Sequence, residues 1–546
     1  MDPLIAALLR PEAHQPAPLE PIELLETHIS WILLVGPVAY KIKKPVNLGF
    51  VDFSTQARRA WFCAEELRLN RRLAPDLYLA VVPIHGPPER ARFHGGGPVI
   101  EMALKMRRFP QEALLPEALA HGRVPPAAFE ALAERLAAFH ARTAVASPQD
   151  PWGEPPSVLD PALANLAVLE RCGVDPAVLA PLRRWSEAQA QRLTPLCRRR
   201  KADGRVREGH GDLHLGNMAL LEGRIEVFDC LEFSPELRWI DAISDLAFAA
   251  MDLQHGGRSI EAHHLLSRWL ERSGDYGGLR LWCWYRVYRA LVRAKVTALR
   301  LSQADLAGEE VGRRQAELSS YLRWAQAVIR PRRPALVITH GISGSGKSHW
   351  ASRLAQEPPW IQLRSDGERK RRFGLWGESG EASAEVAAAG VKVAAAGAEV
   401  PDPSVLYAPE VSRWLYQERL GGCAAAVLEA GLDVVVDATF LRRSDRDFFS
   451  QVARLSGATF AVLECACGPE QARERVEQRR RLGHDPSDAD AAVIEGQLAR
   501  LEPITEEERQ RIDLCCPGSA EGVRLLQEWR REDRLRTTRG PHPRVC

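Results

Sequence analysis

Gly341, Ser343, Gly344, Ser345, Gly346, Lys347 and Ser348 fall in the pattern G-x-x-x-x-G-K-[ST]. Glycines at this spacing allow a turn whose backbone N–H groups converge on phosphate oxygens. Lys347 then reaches the outer phosphates, and Ser348 offers a hydroxyl to magnesium. Two carboxylates follow, each close to the end of an apolar run. Asp366, in Leu363-Arg-Ser-Asp366, is placed to accept a proton from a hydroxyl nucleophile. Asp437, in Val434-Val-Val-Asp437-Ala-Thr439, suits a water-mediated magnesium contact or the holding of an acceptor. Arg473, Arg475, Arg479 and Arg480 lie on a helix predicted over 469–482 and read either as a solvated charged face or as a lid. In the second reading Arg475 and Arg479 neutralise a phosphoryl group in transfer.

A second constellation lies upstream. His210-Gly211-Asp212-Leu213-His214-Leu215-Gly216-Asn217 has the H-x-D-x-x-x-x-N spacing of a phosphotransferase catalytic loop, and Asp229 closes the strand-like Ile225-Glu-Val-Phe228. Asp212 orients or deprotonates an acceptor hydroxyl, while Asn217 and Asp229 hold magnesium on nucleotide phosphates. Lys41 is predicted to pair the phosphates and a helix glutamate, with Lys43 on the same strand face by period-two alternation. Glu66 is the preferred partner because Leu69 and Leu73 follow at i+3 and i+7, and Glu65 is the alternative.

The elements that must position these groups follow from periodicity. Runs 28–35 and 38–43, joined at Gly36-Pro37, predict a hairpin, 55–73 a helix and 99–106 a return to strand. Residues 110–330 read as mainly helical, interrupted by a strand at 224–228. After Pro331-Arg-Arg-Pro334, apolar strands at 335–339, 434–436 and 459–463 alternate with helical stretches, the pattern of a parallel sheet. The expected division is therefore 1–330, with a small lobe to about 105 and a large lobe over 106–330, then a linker 331–334, a domain 335–531 and a basic tail 532–546. The aromatic-basic stretch holding Trp282, Trp284, Tyr285, Arg286, Tyr288, Arg289, Arg293 and Lys295 reads as core aromatics with snorkelling cations.

The 546 residues call for several globular units. Seventy-three Lys and Arg against 71 Asp and Glu leave a charge of +2, too small for a global field that attracts nucleic acid or membrane. No apolar run is long enough to span a membrane, and a cytoplasmic location is expected with the 11 cysteines reduced.

The phosphate loop, the Arg-Ser-Asp and Asp-Ala-Thr strand ends and the arginine helix resemble the P-loop kinases, among them gluconate kinases, 5′-hydroxyl polynucleotide kinases and zeta-toxin-like proteins, over about 335–520. His210-Gly-Asp212, Asn217, Asp229 and Asp241-Ala-Ile-Ser-Asp245 resemble the aminoglycoside phosphotransferase and choline kinase-like family over about 28–330. The hairpin departs from the kinase pattern, having a lone Gly36 and no G-x-G-x-x-G. The pairing resembles bacterial fused proteins of these two types. It implies an α+β protein-kinase-like bilobal domain followed by an α/β P-loop NTPase domain with a mainly parallel sheet. It also implies ATP and Mg2+ as cofactors, and transfer of the γ-phosphoryl group to a small-molecule hydroxyl. The alternatives are an ATP-binding regulatory protein and a nucleic-acid 5′-hydroxyl kinase; a nucleic-acid partner is not favoured and a membrane is not expected.

Overall fold

The computed structural model describes the chain apart from residues 50, 304–307, 377–402, 483–490 and 539–546, and it leaves aside the side chains of 403–404, 479–482, 491–492 and 533–538. Arg479 and Arg480, and the segment 483–488 after them, thus lie outside what is described. By its contacts the chain forms two compact units. One is Met1–Ala164 with Ala190–Leu253; the other is Asn165–Gln189 with Gln254–Cys546.

In the first unit five antiparallel strands form one sheet in the order β1-β2-β3-β5-β4, with β1 at Glu23–Glu26, β2 at Ser30–Val35, β3 at Val38–Lys43, β4 at Tyr78–His85 and β5 at Val99–Arg107. The β2–β3 turn needs only Gly36 and Pro37 because Gly36 takes a left-handed φ of 52°, open to a residue without Cβ. Strand β3 is central, so Tyr40 and Ile42 enter an apolar cluster with Leu33, Val35 and Ile84. Lys41 and Lys43 alternate with them and share the opposite face. The helix Gln56–Asn70 starts where the Thr55 side chain accepts from Arg58 N–H, and it buries Cys63, Glu66 and Leu69 on one side. Two ribbons complete the site-bearing part: β6 (Val206–Glu208) pairs β9 (Trp239–Asp241), and β7 (Met218–Leu221) pairs β8 (Arg224–Val227).

The second unit holds a five-stranded parallel sheet, β11-β12-β10-β13-β14, with β10 at Ala335–His340, β11 at Trp360–Arg364, β12 at Asp433–Asp437, β13 at Thr459–Glu464 and β14 at Leu514–Pro517. β10 is buried along its whole length, as expected of a strand covered on both faces. Its neighbours β12 and β13 lie on opposite sides. This is where the chain reverses its direction of winding and leaves a crevice at the strands' C-terminal edge. The helix Trp282–Leu301 buries Trp282, Trp284, Tyr285 and Tyr288, so these aromatics are core, with the Arg286 guanidinium 5.7 and 5.1 Å from the ring centroids of Trp282 and Trp324. At the N-terminal edge of the sheet Asp433 is fully buried and receives Arg332 at 2.8 Å and Arg530 through two bonds of 2.9 Å. Arg530 is thus an internal strut, and its helix runs on from Ala520 to Thr538. Among the described residues no helix is long and apolar enough to cross a membrane, and the described cysteines are free thiols.

Candidate active sites

In the first unit three distant stretches meet in one chain of charges. Lys41 Nζ donates to Glu66 Oε1 at 2.8 Å and to Asp229 Oδ1 at 2.7 Å. Lys43 Nζ donates to Glu66 Oε2 at 2.7 Å and to Glu232 Oε1 at 2.5 Å. Glu66 is therefore gripped by both lysines through separate oxygens. Burial alone raises its carboxyl, but Lys41 and Lys43 outweigh burial and hold it at about 2. Burial likewise works against the two lysine charges, yet the surrounding carboxylates raise both above the usual lysine range. At Glu232 burial prevails over Lys43 and the carboxyl is raised. Glu65, the alternative partner, is turned away and meets Arg68 and Arg238.

The loop 210–217 is shaped from beneath. Asp245, fully buried, accepts from His210 N–H at 2.6 Å and from Gly211 N–H at 2.8 Å. Burial opposes its charge, but the His140 ring and these donors keep it low, at about 2. Gly211 has φ 87°, and a Cβ there would stand 2.5 Å from the Leu237 carbonyl oxygen, so glycine is required. Asp252 holds Leu215 N–H at 2.9 Å. Above this floor Asn217 Nδ2 donates to Asp212 Oδ2 at 3.1 Å and to the Asp212 carbonyl at 3.0 Å, leaving its own Oδ1 for a cation. Phe228 N–H bonds the Asn217 carbonyl, which brings Asn217 alongside Asp229. Asp229 itself takes a left-handed φ of 62°, rare for a residue with a side chain, and its N–H is held by the Tyr78 hydroxyl at 3.0 Å. Lys41, Glu66, Asp212, Asn217 and Asp229 thus belong to one constellation. Glu232, Tyr78 and Asn70, which caps Cys230 N–H at 2.9 Å, complete it without having been singled out in the sequence. One signal was present: two lysines on one strand face need more than one acid, and the helix supplies only Glu66 to them.

In the second unit the phosphate loop leaves β10 and enters the helix Lys347–Ala355. Gly341, Gly344 and Gly346 have φ of 145°, 81° and 91°. A Cβ on Gly341 would lie 2.2 Å from the Cys465 carbonyl oxygen, and one on Gly344 2.5 Å from that of Ala472. The loop is therefore closely packed by its neighbours. Lys347 Nζ rests on the Ile342 carbonyl at 2.6 Å, and the buried Ser345 Oγ has no hydrogen-bond partner among the described residues. Ser348 bonds Asp437, whose carboxyl is raised by burial against the pull of Arg364 and Lys347, with Asp366 near enough to add to the rise. Gln362 Nε2 donates to Asp437 Oδ2 at 3.1 Å. Asp366 stands in the first turn of the helix Ser365–Arg372. From the helix Pro469–Leu482, Arg475 Nη1 reaches the Gly344 carbonyl at 3.3 Å, while Arg473 pairs Glu495 at 3.3 Å. The structure brings Lys347, Ser348, Asp366 and Asp437 together and sets Arg475 on the loop. Gln497, not anticipated, clasps the same loop: its Oε1 accepts from Ser343 N–H at 2.7 Å and its Nε2 donates to Ser343 Oγ at 3.0 Å.

These two constellations define a chain with a phosphotransferase-type domain followed by a P-loop kinase-like domain. The model of the Phosphotransferase enzyme family matches residues 51–282, and that of the AAA domain matches 336–504. The chain belongs to the same family as the uncharacterized protein Rv2004c of Mycobacterium tuberculosis (strain ATCC 25618 / H37Rv), with which it is 30% identical over 529 residues, 95% of this chain and 97% of the relative. Among solved structures it is similar to a choline/ethanolamine kinase family protein from Mesorhizobium loti, at 15% identity over 59% of this chain and 98% of that one, TM-score 0.35. It is also similar to a gluconokinase from Sinorhizobium meliloti 1021, at 21% identity over 38% of this chain and 98% of that one, TM-score 0.24.

Proposed function

We propose that the chain is a bifunctional ATP-dependent phosphotransferase, each unit moving the γ-phosphoryl group of Mg-ATP to a hydroxyl of a small molecule. The observation that carries this reading is the meeting of Lys41, Glu66 and Asp229 through bonds of 2.8 and 2.7 Å. A lysine so held is fixed in place and keeps its charge for phosphate oxygens.

Each site supplies few, hard donors: Asn217 with Asp229 in the first, Ser348 with Asp437 in the second. Among the described residues no group of three or more His, Cys, Asp or Glu forms a metal cage. That fits Mg2+, which takes one or two protein oxygens and fills its shell with phosphate and water. When bound, the ion neutralises charge on the transferring phosphates. The chain's own residues do the rest. Asp212 and Asp366 orient the acceptor hydroxyl of their respective units and take its proton. Lys41 and Lys347 bind phosphate oxygens, and Arg475, freed from the Gly344 carbonyl, adds positive charge over them.

The test is transfer of labelled γ-phosphate from ATP into a small-molecule extract, comparing wild type with Lys347→Ala and Asp212→Asn. A labelled product lost in one variant assigns the chemistry to that unit. Nucleotide binding without any product supports the regulatory reading, which the hairpin's single glycine, Gly36, favours for the first unit.

A further inference from the structure

We infer that Arg371 is a positioning residue for Asp366: by seating the helix Ser365–Arg372 on the C-terminal end of the helix Ser259–Ser273, it sets where the acceptor-activating carboxylate of the P-loop unit stands. The inference rests on that unit being a phosphotransferase with Asp366 as its base.

The helix Ser259–Ser273 lies ahead of the break at 331–334 and is closed by Gly274, whose φ is 67° and whose N–H bonds the Leu270 carbonyl at 2.8 Å. Such an end leaves its last carbonyls without intrahelical partners and carries partial negative charge. Arg371 answers both needs. Its Nη1 donates to the Arg272 carbonyl at 3.0 Å and its Nη2 to the Glu271 carbonyl at 2.5 Å. Arg419 adds a third bond, from Nη2 to the Gly274 carbonyl at 2.8 Å. The buried Glu368 ties the two guanidiniums together, meeting Arg371 at 3.3 Å and Arg419 at 2.6 Å. A Cβ on Gly274 would lie 2.5 Å from Arg371 Nε, so glycine lets the arginine come close against the helix end.

Glu368 and Arg371, three residues apart, share one face of their helix. Asp366 precedes Glu368 by two residues, about 200° around the same axis, and so stands away from the docked face. At its near end this helix follows directly from β11, and beyond its far end Phe373 packs with Leu406 and Val411. Apolar packing is non-directional. Bonds to fixed carbonyls set the rotation of the helix about its axis, and that rotation decides how Asp366 is presented.

The same segment meets the other elements that bear the site. His263 Nε2 donates to the Ala355 carbonyl at 2.8 Å, at the end of the helix that carries Lys347 and Ser348. Arg280 pairs Glu429 at 3.3 Å and Cys283 Sγ donates to the Ala430 carbonyl at 3.4 Å, just ahead of β12 and Asp437. Residues 259–283 thus brace the elements holding Lys347, Asp366 and Asp437.

The test uses the full chain carrying Asp212→Asn, which silences the first unit. Transfer of labelled γ-phosphate from Mg-ATP into a small-molecule extract is followed in single turnover, and the Kd for Mg-ATP is measured separately. A misplacement of about 1 Å is worth on the order of 100-fold in rate, and β11 still holds the near end of the helix. Arg371→Gln is therefore expected to slow transfer roughly 10-fold with the Kd unchanged, to raise hydrogen exchange over 365–372, and to be partly rescued by Arg371→Lys. In chains that already carry Asp366→Asn, Arg371→Gln is expected to leave the residual rate nearly unchanged, because the group it positions is gone. Gly274→Ala is expected to reproduce the loss. Gly257→Ala, at φ 78° with open space around it, carries comparable backbone strain and is expected to leave transfer unchanged. Equal fold-losses with and without Asp366→Asn, a transfer rate untouched by Arg371→Gln, or a Kd that rises in step with the lost transfer overturns the proposal. If Mg-ATP binds and transfer is absent or indifferent to Asp366→Asn, the phosphotransferase reading of this unit fails and the proposal with it. If exchange over 365–372 stays as protected in Arg371→Gln as in the unsubstituted chain, the docking fails while that reading stands.

Discussion

Replacing Lys43 by Met tests the inner half of the charge chain. The ammonium is buried, at 1% exposure, and its bonds to Glu66 and Glu232 measure 2.7 and 2.5 Å. Met fills a similar volume, so the change is mainly electrostatic. Glu66 retains Lys41, whereas Glu232 loses the cation beside it. Removing one partner of a buried pair destabilises by about 3–5 kcal/mol, of which the stranded carboxylate is the larger part. Glu232 limits this loss by taking up a proton. Burial already raises its carboxyl, and loss of Lys43 raises it further. A carboxyl raised in the folded state binds more protons there than in the unfolded chain, so stability falls as pH climbs through the raised value. The penalty of Lys43→Met is accordingly smaller near pH 5 than near pH 8, by roughly 1.4 kcal/mol for every tenfold fall in proton concentration over which Glu232 is protonated only in the folded chain. Native-state hydrogen exchange over 38–43 and 56–70 measures the local opening energy without assuming that the whole chain unfolds in one step. Adding Glu232→Gln to Lys43→Met is expected to recover at least about 2 kcal/mol at the higher pH. A pH-independent penalty below about 1 kcal/mol, or strict additivity of the two changes, refutes the reasoning.

Asp245→Asn weakens the floor of the loop 210–217. Because the Asp245 carboxyl sits at about 2 in the folded chain, below its unfolded range, its contribution is complete above about pH 4 and is lost as pH falls through about 2. Denaturation compared with wild type is expected to show a gap of about 2 kcal/mol at pH 7 that closes on acidification. Gln497→Ala removes two bonds to Ser343 and is expected to raise hydrogen exchange at 341–346 and to weaken ATP binding by roughly tenfold, whereas a purely peripheral glutamine would leave both unchanged. Asp212→Asn is expected to slow transfer by the first unit by about 10²–10⁴-fold with ATP binding retained, as measured by single turnover.

Much of both sites was legible because their chemistry is local. The phosphate loop and the run from His210 to Asn217 carry their spacing in eight consecutive residues each, and period-two alternation put Lys41 and Lys43 on one face. Glu66 could be chosen over Glu65 because helical periodicity decides which of two adjacent acids turns inward. Glu232 could not be placed: its reach to Lys43 depends on the turn that begins at Asp229 with φ 62°, which no propensity of Asp-Cys-Leu-Glu announces. Gln497 lies 154 residues from Ser343 and has no pattern linking the two. The proline-rich break at 331–334 marks a change in sequence character. By its contacts Gln254–Cys546, on both sides of that break, falls in one unit with Asn165–Gln189.

The two arginines on Asp433 also have a practical consequence for anyone who shortens this chain. Arg332 reaches the carboxylate from the segment just before β10, and Arg530 reaches it from a helix nearly 200 positions later in the sequence, so that one buried charge anchors both ends of the parallel sheet's domain. A stop codon or protease cut before residue 530 therefore removes more than loose polymer. It leaves Asp433 without the two bonds from Arg530, and soluble yield is expected to fall abruptly between truncations placed just after and just before that arginine.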